Sequence, residues 1–238
     1  MTFYYFGGES RRYVALQRMK DVVAEHSARI REIHLRGIEG SQLATLLDGI
    51  PDSSLQLTSL VLTTSNDHNY TLPITIMGDL LRLEYLHIAG IHFPWYSQPL
   101  CALTHLRIEC TPEPAPITSF FAALRAMSAL QVLHLGSLPA TCDTRDVDPL
   151  SFRNLRYLHL HSPTGLSNLL SVFAVPTETV IDLDCIEPES RFASSLSGFF
   201  SSMGFGTCKR PSYRNLKISG PFPLLITSGR STYLHNYP

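Results

Sequence analysis

This chain has no surplus of either charge. Its 238 residues hold 19 Lys and Arg against 20 Asp and Glu, a formal net charge of −1, with no long run of one sign. Nucleic-acid backbones and anionic membranes are normally met by a basic face, so neither is expected as a partner. Long apolar runs are absent too, and no stretch approaches the roughly 18 apolar residues of a membrane span. The first residues, Met1 to Arg12, lack the basic start and apolar stretch of a secretory signal. Cysteine is sparse: five residues, an odd number with no C-x-x-C pair, which fits free thiols in a reducing compartment. A cytoplasmic or nuclear protein is expected, and the sequon at Asn69 then has no glycan to carry. No G-x-S-x-G elbow, P-loop, G-x-G-x-x-G turn or H-E-x-x-H helix occurs, so no enzyme activity and no cofactor are expected.

What is present is a repeat. The spacing apolar-x-x-apolar-x-apolar occurs at Ile30/Ile33/Leu35, Leu57/Leu60/Leu62, Leu83/Leu86/Ile88, Leu103/Leu106/Ile108, Leu130/Leu133/Leu135 and Leu155/Leu158/Leu160. A degraded copy follows at Ile181/Leu183 and a last one at Tyr213/Leu216/Ile218. Most intervals are about 23 to 27 residues, the period of a leucine-rich-repeat solenoid. Each copy alternates with period two, as a half-buried strand does, and the segment after it turns to helical spacing. Parallel strands cannot be joined by a tight turn, so the intervening residues must cross back. The expected fold is α/β: an irregular leucine-rich-repeat solenoid with a parallel sheet on its concave side and helices and turns on its convex side.

Helices are expected over Thr118 to Met127, Ser41 to Ile50, Thr164 to Phe173 and Ser190 to Met203, each with one apolar stripe. The short interval from Ile88 to Ile108 contains Pro94 and Pro99, so that crossover should be extended or a short turn. A capping helix over Tyr13 to Ala28 would turn Leu16, Met19, Val22 and Val23 inward. The organisation expected is an N-terminal segment with this helix over 1–28, repeats over 29–220 and a tail over 221–238. One regular feature is missing. The turn position that holds Asn or Cys in regular leucine-rich repeats is occupied by Ile38, Ser65, Ile91, Thr111, Leu138, Pro163, Ile186 and Pro221, so irregular turns are expected.

The x positions of the strands should point away from the core and stack in columns about 4.8 Å apart. The central column is His34, Val61, His87, Arg107, His134, His159, Asp182 and Lys217. The one before it includes Glu32, Ser59, Tyr85, His105 and Tyr157, and the one after it Arg36, Thr63, Glu109, His161 and Asp184. A partner-binding face is expected at His34, Tyr85, His87, His105, Arg107, His134, Tyr157, His159, His161 and Asp182, because aromatic and imidazole groups give contact area at small entropic cost. Zinc is geometrically conceivable at His134, His159 and His161, but no Cys or carboxylate stands at a convincing ligand spacing and no metal is expected. Stacked imidazoles repel when protonated, so a pH response of this face is a hypothesis in its own right.

Three stretches carry a family resemblance. They are Arg29 to Leu35, Trp95 to Leu106, and Phe120 to Leu138 followed by Phe152 to Cys185. Together they resemble the leucine-rich region that follows the F-box in the F-box-like proteins of mushroom-forming fungi. The resemblance implies the substrate-recognition region of a cullin-type ubiquitin ligase, whose protein target sits on the repeats. No Leu-Pro-x-Glu-type helical start precedes Arg29, so the ligase adaptor is expected as a partner only where an F-box lies upstream. The alternatives are a stand-alone scaffold or inhibitor and, more remotely, a metal-dependent hydrolase using the histidines.

Overall fold

The computed structural model describes residues 2–3, 9–47, 56–64, 70–72, 80–95, 100–109, 117–136, 148–162, 172–176, 178–185 and 216–219. They belong to two compact units, Met1–Leu130 and Gln131–Pro238. Both are mixed α/β or β structures built on parallel strands.

In the first unit, β1 (Thr2–Phe3), β2 (Glu32–Ile38), β3 (Ser59–Thr64), β4 (Tyr85–Ala89) and β5 (His105–Glu109) lie side by side in chain order, all parallel. The repeat explains the register. Ile33 pairs with Leu60, Leu60 with Leu86 and Leu86 with Leu106, so equivalent residues of successive copies are neighbours. Leu60, Leu62, Leu86, Ile88 and Leu106 have no exposed surface. Each such side chain stabilises the fold by about 1.5–3 kcal/mol relative to exposure.

Helix α1 (Glu9–His26) begins before the expected Tyr13 and buries Leu16 and Val23, two turns apart, with Met19 and Val22 half-buried on the same stripe. It packs on α2 (Gly40–Leu47), which buries Leu43, Leu46 and Leu47. Helix α3 (Ile117–Ala126) buries Phe120, Phe121 and Leu124 and leaves Ala122 and Arg125 exposed. Trp95 is buried, its ring centroid 4.6 Å from that of Phe93 and 5.1 Å from that of Phe120 in an edge-on contact. The described part of the crossover from β4 to β5 contains turns and no helix, as its prolines require.

In the second unit, β6 (Val132–Leu135), β8 (Tyr157–Ser162), β10 (Val180–Cys185) and β11 (Leu216–Ser219) are parallel neighbours in that order. A separate parallel pair joins β7 (Leu150–Ser151) to β9 (Phe173–Ala174), with Phe152 edge-on to Phe173 at 5.3 Å. Phe173, expected to end a helix, is therefore a strand residue, because its neighbour Ala174 accepts the Phe152 N–H. The part of that helix before Val172, the helix over Ser190 to Met203, Ile50, Asn69, Tyr213 and the 221–238 tail lie outside the described residues.

A backbone fork recurs at the strand entries. The Arg31 carbonyl accepts the N–H groups of Thr58 (2.7 Å) and Ser59 (3.1 Å), that of Thr58 accepts Glu84 and Tyr85, and that of Glu84 accepts Thr104 and His105. The Gln131 carbonyl likewise accepts Arg156 and Tyr157. The hydroxyls of Thr58 and Thr104 donate to the same Arg31 and Glu84 carbonyls. Every one of these donors is thereby satisfied without a side-chain amide. No helix among the described residues is long and apolar enough to cross a membrane.

Candidate sheet-face site

Because strand side chains alternate, burial of Ile33 and Leu35 sends Glu32, His34 and Arg36 to the opposite face of β2. The same alternation places Tyr85 and His87 on β4, and His105, Arg107 and Glu109 on β5. His34, Val61, His87 and Arg107 then stand in register across four strands. In the second unit His134, His159, Asp182 and Lys217 do the same.

In the first unit the polar groups are tied together. His34 Nε2 lies 2.9 Å from Ser59 Oγ, and Thr104 Oγ1 lies 2.8 Å from His105 Nδ1, whose ring is 5.8 Å from that of Tyr85. Glu109 accepts a hydrogen bond from Arg107 Nε at 2.9 Å, and its other oxygen is 3.4 Å from His87 Nε2. His87 and Val61 are 7% and 1% exposed, although both occupy outward positions. An x position is therefore not by itself free surface. Burial pushes the His87 imidazole below its usual pKa, with the charges of Arg107 and Arg36 acting in the same direction and the Glu109 hydrogen bond against it. Burial pushes the Glu109 carboxyl upward, but hydrogen bonding and charge from Arg107, with help from His87, hold it below the ordinary value.

In the second unit His134 and His159 are stacked, with centroids 4.1 Å apart and planes 25° from parallel. Asp182 Oδ2 accepts a hydrogen bond from Tyr157 Oη at 3.2 Å and lies 3.3 Å from His159 Nδ1. His161 Nδ1 and Asp184 Oδ2 are 3.0 Å apart. An N–H at His159 Nδ1 directed to Asp182 leaves Nε2 as an acceptor on a ring already braced by His134. Among the described residues no three His, Cys, Asp or Glu side chains converge as metal ligands.

The ten sequence-predicted residues thus fall into two sets. His34, Tyr85, His87, His105 and Arg107 share the first unit's sheet face, and His134, Tyr157, His159, His161 and Asp182 share the second's. Sequence reasoning assigned no role to Ser59, Thr104 or Glu109, which fix the imidazoles of His34, His105 and His87. The column pattern placed Ser59 and Glu109 on this face, each one strand over and two residues off from its histidine, whereas Thr104 stands before β5 and in no column. Comparison of the chain with protein-family models, with curated proteins and with solved structures gave no match.

Proposed function

We propose that this chain is a non-enzymatic protein-binding module: an irregular leucine-rich-repeat solenoid whose concave sheet face receives a protein target. The observation that carries the reading is the cluster His134, Tyr157, His159 and Asp182, where an aromatic, two stacked imidazoles and a carboxylate are held by one another on adjacent strands. Such side chains lose little freedom on binding, which favours contact over plain solvation. The resemblance of the repeats to those of fungal F-box-like proteins makes the preferred role the substrate-recognition region of a ubiquitin-ligase receptor, working in the cytoplasm or nucleus. The same face also suits a stand-alone scaffold or inhibitor.

The test is a paired affinity purification from the native host with the chain and its His134→Ala/Tyr157→Ala/His159→Ala variant. Partners retained by the first and lost with the second support the sheet face as the contact. Identical partner sets refute it. Co-purification of the ligase adaptor with the protein extended to any upstream F-box separates receptor from scaffold.

A further inference from the structure

A second polar feature lies where α1 runs into β2, and it meets the sheet-face columns at Glu32. A cleft of about 450 Å³ is lined by His26, Arg29, Ile30, Arg31 and Glu32. It is open to solvent along much of its surface. His26, Arg29 and Arg31 are exposed, and no described residue makes a hydrogen bond or ion pair to any of the three side chains. Glu32, the one acid among the described lining residues, already has a contact of its own.

The helix dipole accounts for part of this charge. Cations are favoured near a helix C-terminus, and His26 and Arg29 stand at the end of α1 and its continuing 3-10 turn, Ser27–Arg29. Arg31 lies beyond that turn, where the dipole no longer reaches, so the described residues of the cleft carry a cationic surplus in a chain whose formal net charge is −1. The backbone beneath it is pinned. Ile30 N–H donates to Ser27 O at 3.2 Å, and the Arg31 carbonyl is held by the Thr58 and Ser59 N–H groups. Two guanidinium forks on fixed Cα positions suit an anion with several oxygens, which each fork can bind bidentately.

We propose that this cleft binds a phosphoryl group, with Arg29 and Arg31 gripping its oxygens and His26 donating from the side. The group could be carried on a phosphorylated peptide or be free phosphate, and the titration separates the two sources. The full chain is titrated calorimetrically at low salt with a short phosphoserine peptide, its unphosphorylated form and inorganic phosphate. Saturable one-to-one binding of a phosphate-bearing probe is expected, at least tenfold weaker in Arg29→Gln/Arg31→Gln and changed less than twofold in the charge-matched control Arg153→Gln/Arg156→Gln, two exposed arginines of the other unit. Peptide binding at least tenfold tighter than phosphate assigns a protein-borne group, and smaller differences assign the free anion. Should the double variant fail to fold, Arg29→Lys and Arg31→Lys, which keep the charge but lose the fork, must each weaken binding at least threefold. No saturable binding of either phosphate probe, equal binding of the unphosphorylated peptide, or binding indifferent to both arginines overturns the proposal.

Discussion

Gly90 gives the sharpest test of how the strand ends are built. Its φ is +72°, and a Cβ placed on it would collide with Thr64 Oγ1, which itself donates to the Gly90 carbonyl at 2.9 Å. A Cβ placed on Gly37, whose φ is +64°, would meet nothing within 4 Å. Gly37→Ala therefore costs backbone strain alone, about 1–2 kcal/mol. Gly90→Ala costs the same strain and forces Thr64 to rotate, which loses a hydrogen bond worth about 1 kcal/mol, for a sum of about 2–3 kcal/mol. The gain from restricting the unfolded chain is common to both and cancels. Trp95 is the one tryptophan and is buried in the same unit, so its fluorescence in a urea titration reports on the right transition. With a slope of about 1–3 kcal/mol per molar urea, Gly90→Ala should lower the midpoint by roughly 1 M or more. In a Thr64→Ala background the obstacle and the hydrogen bond are already gone, so the cost of Gly90→Ala should fall to that of Gly37→Ala. A coupling near zero in this cycle, or equal costs for the two glycines, would refute the reasoning.

Three further outcomes are expected. Leu86→Ala removes a side chain with no exposed surface and should cost about 2–5 kcal/mol, whereas Leu81→Ala, 59% exposed, should stay within about 0.5 kcal/mol, both by urea titration. Acidification should destabilise the first unit. His87 has a folded pKa below its unfolded value of about 6.5, so its contribution is complete above that pH and is lost as pH falls from there through the lower folded value, and Glu109 adds a loss of the same sign below about pH 4.5. His87→Gln should abolish the upper step in Trp95-monitored midpoints and leave the lower one. In the second unit, imidazole nitrogen shifts should report the Nδ1–H tautomer for neutral His159, and Asp182→Ala should move the proton toward Nε2; an unchanged tautomer would separate His159 from Asp182.

The strand registers were legible because the repeat and the two-residue alternation act together: once Ile33, Leu60, Leu86 and Leu106 are aligned, their neighbours on the strands follow, except at the end of β2, where the register shifts after Arg36 and sets Ile38 opposite Thr64. His159 beside Asp182 and His161 beside Asp184 are direct register partners, so their pairing could be read from the columns. The His87 contact with Glu109 could not, since Glu109 is the register partner of Ala89 and reaches His87 diagonally. Burial of Val61 and His87 was equally hidden, because alternation fixes the direction of a side chain and says nothing of what its lateral neighbours cover. Strand β1 has two residues, too few to alternate, and the first turn of α1, Glu9 to Arg12, is polar, so neither announces itself. Phe173 sat in an apolar run that serves a helix or a strand equally well, and backbone pairing with β7 decided it.

The pairing on the second unit's face has a consequence for a bound partner. With His159 and His161 neutral, Asp182 and Asp184 leave two negative charges there, and protonation of the two imidazoles cancels both. His134 faces the opposite situation, because its stacked neighbour is 4.1 Å away and becomes a cation when it takes a proton. Two cationic rings at that separation repel one another. A target that offers hydrogen-bond donors or cations to Asp182 and Asp184 should therefore bind more weakly at about pH 5.5 than at about pH 7.5, where imidazoles change charge. Asp182→Asn/Asp184→Asn should weaken binding at the higher pH and flatten the profile, while Tyr157→Phe should weaken binding without changing its slope. A wild-type affinity constant across that interval would sink the hypothesis that this face responds to pH, and leave its histidines as contact area alone.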